Sequence, residues 1–392
     1  MTTSERESND QTVLIIGGGI GGLSAAIALQ DAGFDVDVYE QAEELQEVGA
    51  GLTISWNGLQ ALNLLGAHEQ AVRAGATLEW FDTRAPDGST LTQVHIPEVF
   101  PSSSDMPGMI TLHRTDLQRI LYERVGDGVV HLDHQCVEVE QDDGQVTAQF
   151  ASGKEATGDL LVGADGIHSV VRSSLHGEAE PRFSGVGIWR AVTQIDHPVA
   201  TDPRLSQTLG GKQRFGVVPI GDGRVYWLVS ERVPQGTRRP MADSKERLAR
   251  NFADWHEPIP ALIEATPQEA LIWDKAEDRE ILDEWGRGRI TLLGDAAHLA
   301  LPFAGQGACQ ALEDAVWLSR YLARQSESVA ALRAYEAHRQ DRTEMIVKIG
   351  RRMARILHLS NPIAVTARNL LWRFGPDMLM ERAAKRMAST DL

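Results

Sequence analysis

The stretch 12–40, "TVLIIGGGIGGLSAAIALQDAGFDVDVYE", constrains this chain more than any other. A charge-free apolar run, "VLII", ends in glycines. A helical pattern follows over 20–32, Gly33 is placed to stop it, and the alternating "VDVYE" ends on Glu40. A continuous apolar run suits a parallel strand covered on both faces. A glycine just past a helical pattern is a helix stop. The order predicts strand, glycine turn, helix and second strand, the unit of a parallel α/β sheet. Within it lies Gly17-x-Gly19-x-x-Gly22. Gly17 allows a tight turn, Gly19 lets the backbone approach a pyrophosphate, and Gly22 lets helix and strand pack closely. The helix start then offers free N–H groups and a positive dipole end to phosphate. Glu40, 23 residues after Gly17, can accept from the ribose hydroxyls of an adenosine. An acid there disfavours a 2′-phosphate, so the expected resident nucleotide is FAD or NAD rather than NADP. Residues 13–29 carry no charge, but they fall short of a ~20-residue membrane span and hold five glycines.

The same kind of pattern returns twice. "DLLVGADGIHSVVR" runs from an apolar strand into Asp165 between two glycines, with Arg172 two turns on. "RITLLGDAAHLALPFAGQGACQALEDA" runs from an apolar strand into Asp295, then through Pro302 to Gly305-Gln306-Gly307 at the start of a helical pattern. Backbone N–H groups at such a helix start make an anion or oxyanion site. Taken singly, each aspartate also reads as an ordinary helix cap, with Arg172 as a surface partner of Asp165.

Strand-rich sequence separates these segments. Residues 79–95 predict a hairpin around "PDGS". "QRFGVVPI" and "GRVYWLVS" flank "GDG", a second hairpin signal. "HRTDLQRILYERVG", residues 113–126, predicts a helix, with Thr115 and Gln118 at capping-box spacing. Residues 243–265 read as helix broken by Pro258 and Pro260, and 307–357 as helix. The α/β segments at 12–40, 109–170 and 289–320 therefore form one discontinuous lobe, with a β-rich lobe inserted.

Bulk properties exclude several functions. Among 392 residues the net charge is −17, which repels nucleic acid. The two cysteines, Cys136 and Cys309, build no disulfide framework, and no Cys/His cluster suggests a metal. These features, with a polar N-terminus unlike a leader, predict a cytoplasmic protein. Residues 343–392 hold nine Lys/Arg and four Asp/Glu, so this tail is +5 and the remainder −22. "MIVKIGRRMARILHL" is apolar and basic enough for a lipid surface. The expected arrangement is nonetheless a helix packed on the body with its basic face against acidic groups, and membrane association is not expected.

Together, in this order and spacing, the three glycine motifs resemble those of FAD-dependent monooxygenases of the single-component aromatic hydroxylase type. That group includes para-hydroxybenzoate, salicylate and flavin-type urate hydroxylases and zeaxanthin epoxidase-like enzymes. The resemblance runs from Val13 to about residue 345. It implies a discontinuous Rossmann-like FAD-binding domain (12–78, 109–180, 278–345), an inserted β-sheet substrate domain (79–108, 181–277) and a C-terminal helical region (346–392). It implies that Gly17, Gly19 and Gly22 hold the FAD pyrophosphate and Glu40 the adenosine ribose. Arg114, in "LHRTDL", matches an FAD-contacting arginine, and Val137 lies where backbone meets the adenine. Asp165 and Arg172 match a motif linked to FAD and NAD(P)H. Asp295 would contact the ribityl or pyrophosphate portion, and Gly307 and Ala308 would face the isoalloxazine edge. "VGAGLTIS", with Gly51, matches a loop passing near the flavin.

The resemblance further implies that NADH or NADPH, binding transiently, reduces FAD. A flavin C4a-hydroperoxide formed with O2 then hydroxylates an aromatic or heteroaromatic small molecule. Epoxidation or Baeyer–Villiger oxygenation of an isoprenoid or polyketide is the alternative outcome, and a non-catalytic flavin-binding protein is the alternative class. A second GxGxxG and a CxxC are lacking, which counts against a glutathione-reductase-like enzyme. Arg214 and Tyr226 fall where flavin-type urate hydroxylases carry an arginine and a tyrosine at their substrate. On alternating strands Arg214, Gly216 and Val218 share one face, and Tyr226 and Leu228 share a face on the strand opposite. An arginine holds an anionic or enolised substrate and a tyrosine orients it; the other reading is a surface arginine and a core tyrosine. After Pro302 the urate enzymes carry an aspartate, whereas this chain has Phe303, which predicts a more apolar pocket. His298, in "DAAH", is expected to serve the loop's structure.

Overall fold

A computed structural model of the chain describes residues 9–44, 50–103, 105–237, 242–375 and 377–392. Five parallel strands lie side by side in the order Ile290–Leu292, Leu160–Gly163, Asn9–Ile16, Phe34–Tyr39 and Val130–His131. Asn9–Ile16 is central, and Val13 to Ile16 are at most 3% exposed because both faces are covered. Ile15 points to Gly22 on the helix side, where Ile20–Asp31 packs beside Arg114–Val125 and Gly307–Arg324. Leu14 points the other way, to Gly158 in a three-stranded antiparallel sheet spanning 136–158. The charge-free "VLII" is thus what a strand sandwiched on two sides requires.

A second sheet has seven strands, in the order Ile272–Asp278, Arg182–Gln194, Arg224–Arg232, Gln213–Pro219, Arg204–Leu209, Trp80–Arg84 and Thr90–His95. Both hairpins expected from turn residues are present, over 80–95 and 213–232. The first attaches to the second through a parallel pairing of Trp80–Arg84 with Arg204–Leu209. One face of this sheet buries Trp189, Phe215, Val217, Trp227 and Val229 against helices Ser244–Phe252 and Ile259–Ala265. The opposite face carries Arg190, Arg214, Tyr226 and Leu228, as the registers fix. A further small sheet, Gly51–Ser55 with Met109–His113 and Ala76–Thr77, lies beside that face.

Two local expectations change. The helix Arg114–Val125 has no capping box, because His113 rather than Thr115 is its N-cap. Gln118 instead donates to Gly18 O at 2.9 Å and props the glycine turn. The helix Ser328–Leu357 runs unbroken through 345/346, so that point lies inside one element. Its Arg351 binds Asp278 at 2.6 Å, setting one basic group of the tail on an acidic neighbour. Among the described residues no helix is long and apolar enough to cross a membrane.

Candidate active site

The three glycine motifs converge at one end of the parallel sheet. Gly17 leaves the central strand with φ +108°, and a Cβ there would stand 2.5 Å from Ala164 O. A Cβ on Gly22 would stand 1.9 Å from Gly17 O, so the turn closes only with hydrogen at both positions. In front of Gly19 there is nothing within 4 Å, and the helix it begins has neither a side-chain cap nor an acid in its first turn. That is an open seat for an anion at an uncapped helix N-terminus. Glu40 accepts from Gly18 N at 2.7 Å and from Ala42 N at 2.9 Å. Its carboxylate therefore also shapes the turn. Val137 lies on the strand Cys136–Gln141 with 51% of its surface exposed.

Asp165 and Arg172 do not pair. Asp165 accepts from Ser169 Oγ (2.6 Å), Val170 N (2.7 Å) and Val171 N (3.2 Å), as a cap does. Arg172 is buried rather than on the surface. It donates to the carbonyls of Ala296 and Ala297 at 3.0 Å and of Glu280 at 2.9 Å. Burial, with Arg279 nearby, lowers its pKa to about 10, so it stays charged at neutral pH. The second motif thus braces the third.

Asp295 opens the short helix Asp295–His298. Its side chain is exposed at the base of a recess, yet deep enough that desolvation raises its carboxyl, with His298 and Arg114 opposing. Arg114, exposed at the start of its helix, therefore shares this recess. A Cβ on Gly307 would stand 3.9 Å from Asp295 Oδ1. Gly305 has φ +62°, and Gly305 and Gly307 are exposed at the uncapped start of the helix Gly307–Arg324, with Ala308 half-buried behind them. His298 is tied to Asp314 Oδ2 at 2.6 Å. Gln306, buried, accepts from Asn57 and Gln310, which both also donate to Glu313. Glu313 and Asp314 grip Arg339 at 2.6 and 2.7 Å, all three at most 1% exposed. This buried network fixes the turn from beneath, and no periodic pattern in the sequence marks it.

Across the recess stands the polar face of the seven-stranded sheet. A Cβ on Gly51 would stand 2.5 Å from ring carbons of Tyr226, so Gly51 is the gap into which that ring fits. Arg214 Nε donates to Gln207 Oε1 at 2.8 Å. Arg190, which no sequence signal singled out, reaches both Tyr226 and Asp274. Burial pushes Tyr226 up to about 12, opposed by Arg190 and Arg214, and lowers Arg214 to about 10. Phe303 is 9% exposed and meets His358 edge-on at 5.2 Å, and Pro302 is exposed beside it. An open anion seat, two uncapped helix starts and a carboxylate in one recess fit a dinucleotide with a planar ring system.

A family model described as "FAD binding domain" matches residues 10–349. The chain belongs to that family. This flavoprotein is 38% identical over 383 residues to the aurachin C monooxygenase/isomerase of Stigmatella aurantiaca, covering 97% of this chain and 99% of that one. It is 34% identical to the FAD-dependent urate hydroxylase of Klebsiella pneumoniae, covering 88% and 90%. The crystal structure of Klebsiella pneumoniae HpxO complexed with FAD and uric acid matches with a TM-score of 0.91 at 30% identity, covering 98% of each chain. The flavoprotein is an FAD-dependent monooxygenase with the fold expected of the aromatic hydroxylases. Among the described residues no group of three or more His, Cys, Asp or Glu is placed to hold a metal.

Proposed function

We propose that this monooxygenase hydroxylates an anionic or enolisable aromatic or heteroaromatic ring, using O2 and NADH or NADPH. The observation that carries this reading is the face holding Arg190, Arg214, Tyr226 and Leu228, which meets the Phe303 cluster through Leu228 and Gly51 through the Tyr226 ring. We assign 12–78, 109–180 and 278–345 to FAD and 79–108 with 181–277 to the substrate. Gly17, Gly19, Gly22 and Glu40 would hold the pyrophosphate and ribose, and Val137 would border the adenine. Arg114 and Asp295 would hold the chain toward the ring, with Gly51, Gly307 and Ala308 at the ring itself. Asp165 acts by capping and Arg172 by bracing Ala296 and Ala297. Reduced FAD supplies the oxygen-activating chemistry.

The chain's own residues supply charge and dryness. Arg214, charged at neutral pH and aimed by Gln207, stabilises a phenolate or enolate, and that charge makes the ring carbon a better nucleophile. Tyr226, held near 12, stays protonated and works as an orienting hydrogen-bond partner rather than a base. Leu228, Leu301 and Phe303 line an apolar cluster that excludes water. Relatives named for urate and for 3-hydroxybenzoate support the substrate class. Phe303, in place of the aspartate of the urate type, supports a ring less polar than urate. The same cluster favours one second reading, oxygenation of an isoprenoid or polyketide carbon.

The test is NAD(P)H oxidation and O2 uptake by the purified flavoprotein over phenols, aromatic acids and N-heteroaromatic enols, with 18O2 labelling of products. Stimulation with one labelled oxygen per product is expected. Arg214→Met should lose most of that stimulation without losing FAD. Labelled epoxide or lactone from an isoprenoid, with no response to any ring compound, would overturn the hydroxylase reading.

A further inference from the structure

The helix Pro362–Phe374 has two unlike faces. Its inner face is attached to the body. Arg368, buried, donates to the carbonyls of Ile356, Leu357 and Gly210 at 3.3 Å each, and Trp372 packs into the cluster of Leu228, Leu301 and Phe303. Its outer face is apolar and bare. Ile363 is 81% exposed, Leu370 52%, Leu371 64% and Phe374 75%. Positions 363, 367, 370, 371 and 374 follow the helical period, so these side chains and Ala367 form one stripe. Ile356, at the end of the preceding helix, adds a fifth large side chain at 39% exposure. The five expose roughly 600 Å2, the upper end of what a monomeric protein leaves bare.

Cations border this stripe. Arg352 and Arg355 share a helix face with Ile356, are exposed, and have no carboxylate partner among the described residues. Lys212, whose N–H donates to Leu359 O, is exposed alongside. Arg373 lies over the Phe374 ring at 5.7 Å, and its charge reaches Asp87, the acid that faces the helix from the 80–95 hairpin. These cations stand on a chain of net charge −17, so an anionic surface attracts this side of the protein and repels the rest.

We propose that Pro362–Phe374 is an interfacial helix that docks the protein on an anionic lipid surface. Its outer stripe enters the headgroup–acyl boundary, and Arg352 and Arg355 meet lipid phosphates. A second copy of the chain is the poorer occupant. A two-fold contact on this stripe sets the arginines of one copy near those of the other. The area also falls short of the ~800 Å2 per partner of a stable interface. Docking departs from the sequence expectation of a tail wholly packed on the body, and it holds whichever carbon the site oxygenates. It also places the Phe303 cluster one helix away from lipid.

The experiment is flotation of the full-length flavoprotein with vesicles of phosphatidylcholine alone or mixed equally with phosphatidylglycerol, at low and high salt. Binding to the anionic vesicles at low salt, and not to neutral ones, is expected. Leu371→Asp and Phe374→Asp should each reduce it at least tenfold, and Arg352→Gln with Arg355→Gln should reduce it about fivefold per arginine removed. Because these side chains are exposed, flavin content and melting temperature should not change; Ile363→Asp serves in place of any variant that folds poorly. No flotation of the wild type at low salt overturns the proposal. So does flotation indifferent to all the stripe variants, or a concentration-dependent dimer that Phe374→Asp abolishes.

Discussion

Replacing Arg339 by methionine tests whether the buried charge network holds the flavin-side turn. Arg339 is 1% exposed and binds Glu313 at 2.6 Å and Asp314 at 2.7 Å, both equally buried. Methionine keeps much of the volume but leaves two carboxylates short of their main counter-charge. Breaking a buried pair by removing one partner costs about 3–5 kcal/mol. Two compensations keep the loss within that range: Arg342 still reaches Glu313 at 3.2 Å, and His298 still binds Asp314. For a chain of 392 residues that is a fall in melting temperature of roughly 4–6 °C. The pH dependence has a definite sign. Burial alone would raise Asp314, but His298 and Arg339 hold it at about 2, and Glu313 is likewise lowered. A carboxylate depressed in the folded state stabilises fully above its unfolded pKa, near ~4, and loses that stabilisation as pH falls toward the folded value. The deficit of the variant should thus be full at pH 7 and should shrink below about pH 5, where its unpaired carboxylates protonate. Adding Glu313→Gln should recover at least about 1 kcal/mol by removing one stranded charge. Since Gln310 and Asn57 hand the network to Gln306, FAD occupancy should fall as well. The assays are thermal melts from about pH 3.5 to 8, which span the window below the unfolded carboxylate value, and the flavin-to-protein absorbance ratio. A variant that melts within about 2 °C of wild type throughout and keeps its flavin refutes the reasoning.

Three further outcomes follow from local geometry. Gly22→Ala would place a Cβ 1.9 Å from Gly17 O; the purified variant should be largely colourless, and a normal flavin spectrum would count against the turn as the pyrophosphate seat. Gly51→Ala displaces the Tyr226 ring, since the added Cβ would stand 2.5 Å from it, so turnover per bound flavin should fall about 10²-fold; unchanged turnover would separate Tyr226 from the substrate. His358 is fully buried and burial lowers it to about 4, with Arg214 and Arg232 adding to the effect. Its neutral form is therefore a source of stability above pH 6.5 that is lost between 6.5 and 4, up to about 3 kcal/mol. His358→Gln should flatten the stability–pH curve in that window.

Local chemistry in the sequence determined the cofactor side. A strand with no charge must be covered on both faces, a turn closing on itself at 1.9 Å admits only glycine, and a helix start without a cap leaves its N–H groups for an anion. Each of these depends on residues within about twenty positions of one another. The two hairpins were legible for the same reason. What faces the flavin side from the second sheet was only partly legible. Alternation grouped Arg214 with Gly216 and Val218, and Tyr226 with Leu228, but the register that sets both groups on one face, and the pairings that bring Arg190, Gln207 and Asp274 to them, are set by tertiary packing. The parallel pairing of Trp80–Arg84 with Arg204–Leu209 joins segments 120 residues apart, and no local pattern encodes it. The role of Arg172 reversed for a similar reason. Beside Asp165 in sequence it looks like a surface partner, but the fold buries it against three carbonyls more than 100 residues away. The bare stripe on Pro362–Phe374 is likewise a tertiary outcome. Its spacing marks an apolar face, and only the packed structure decides that Arg368 and Trp372 turn inward while Ile363, Leu371 and Phe374 are left outside.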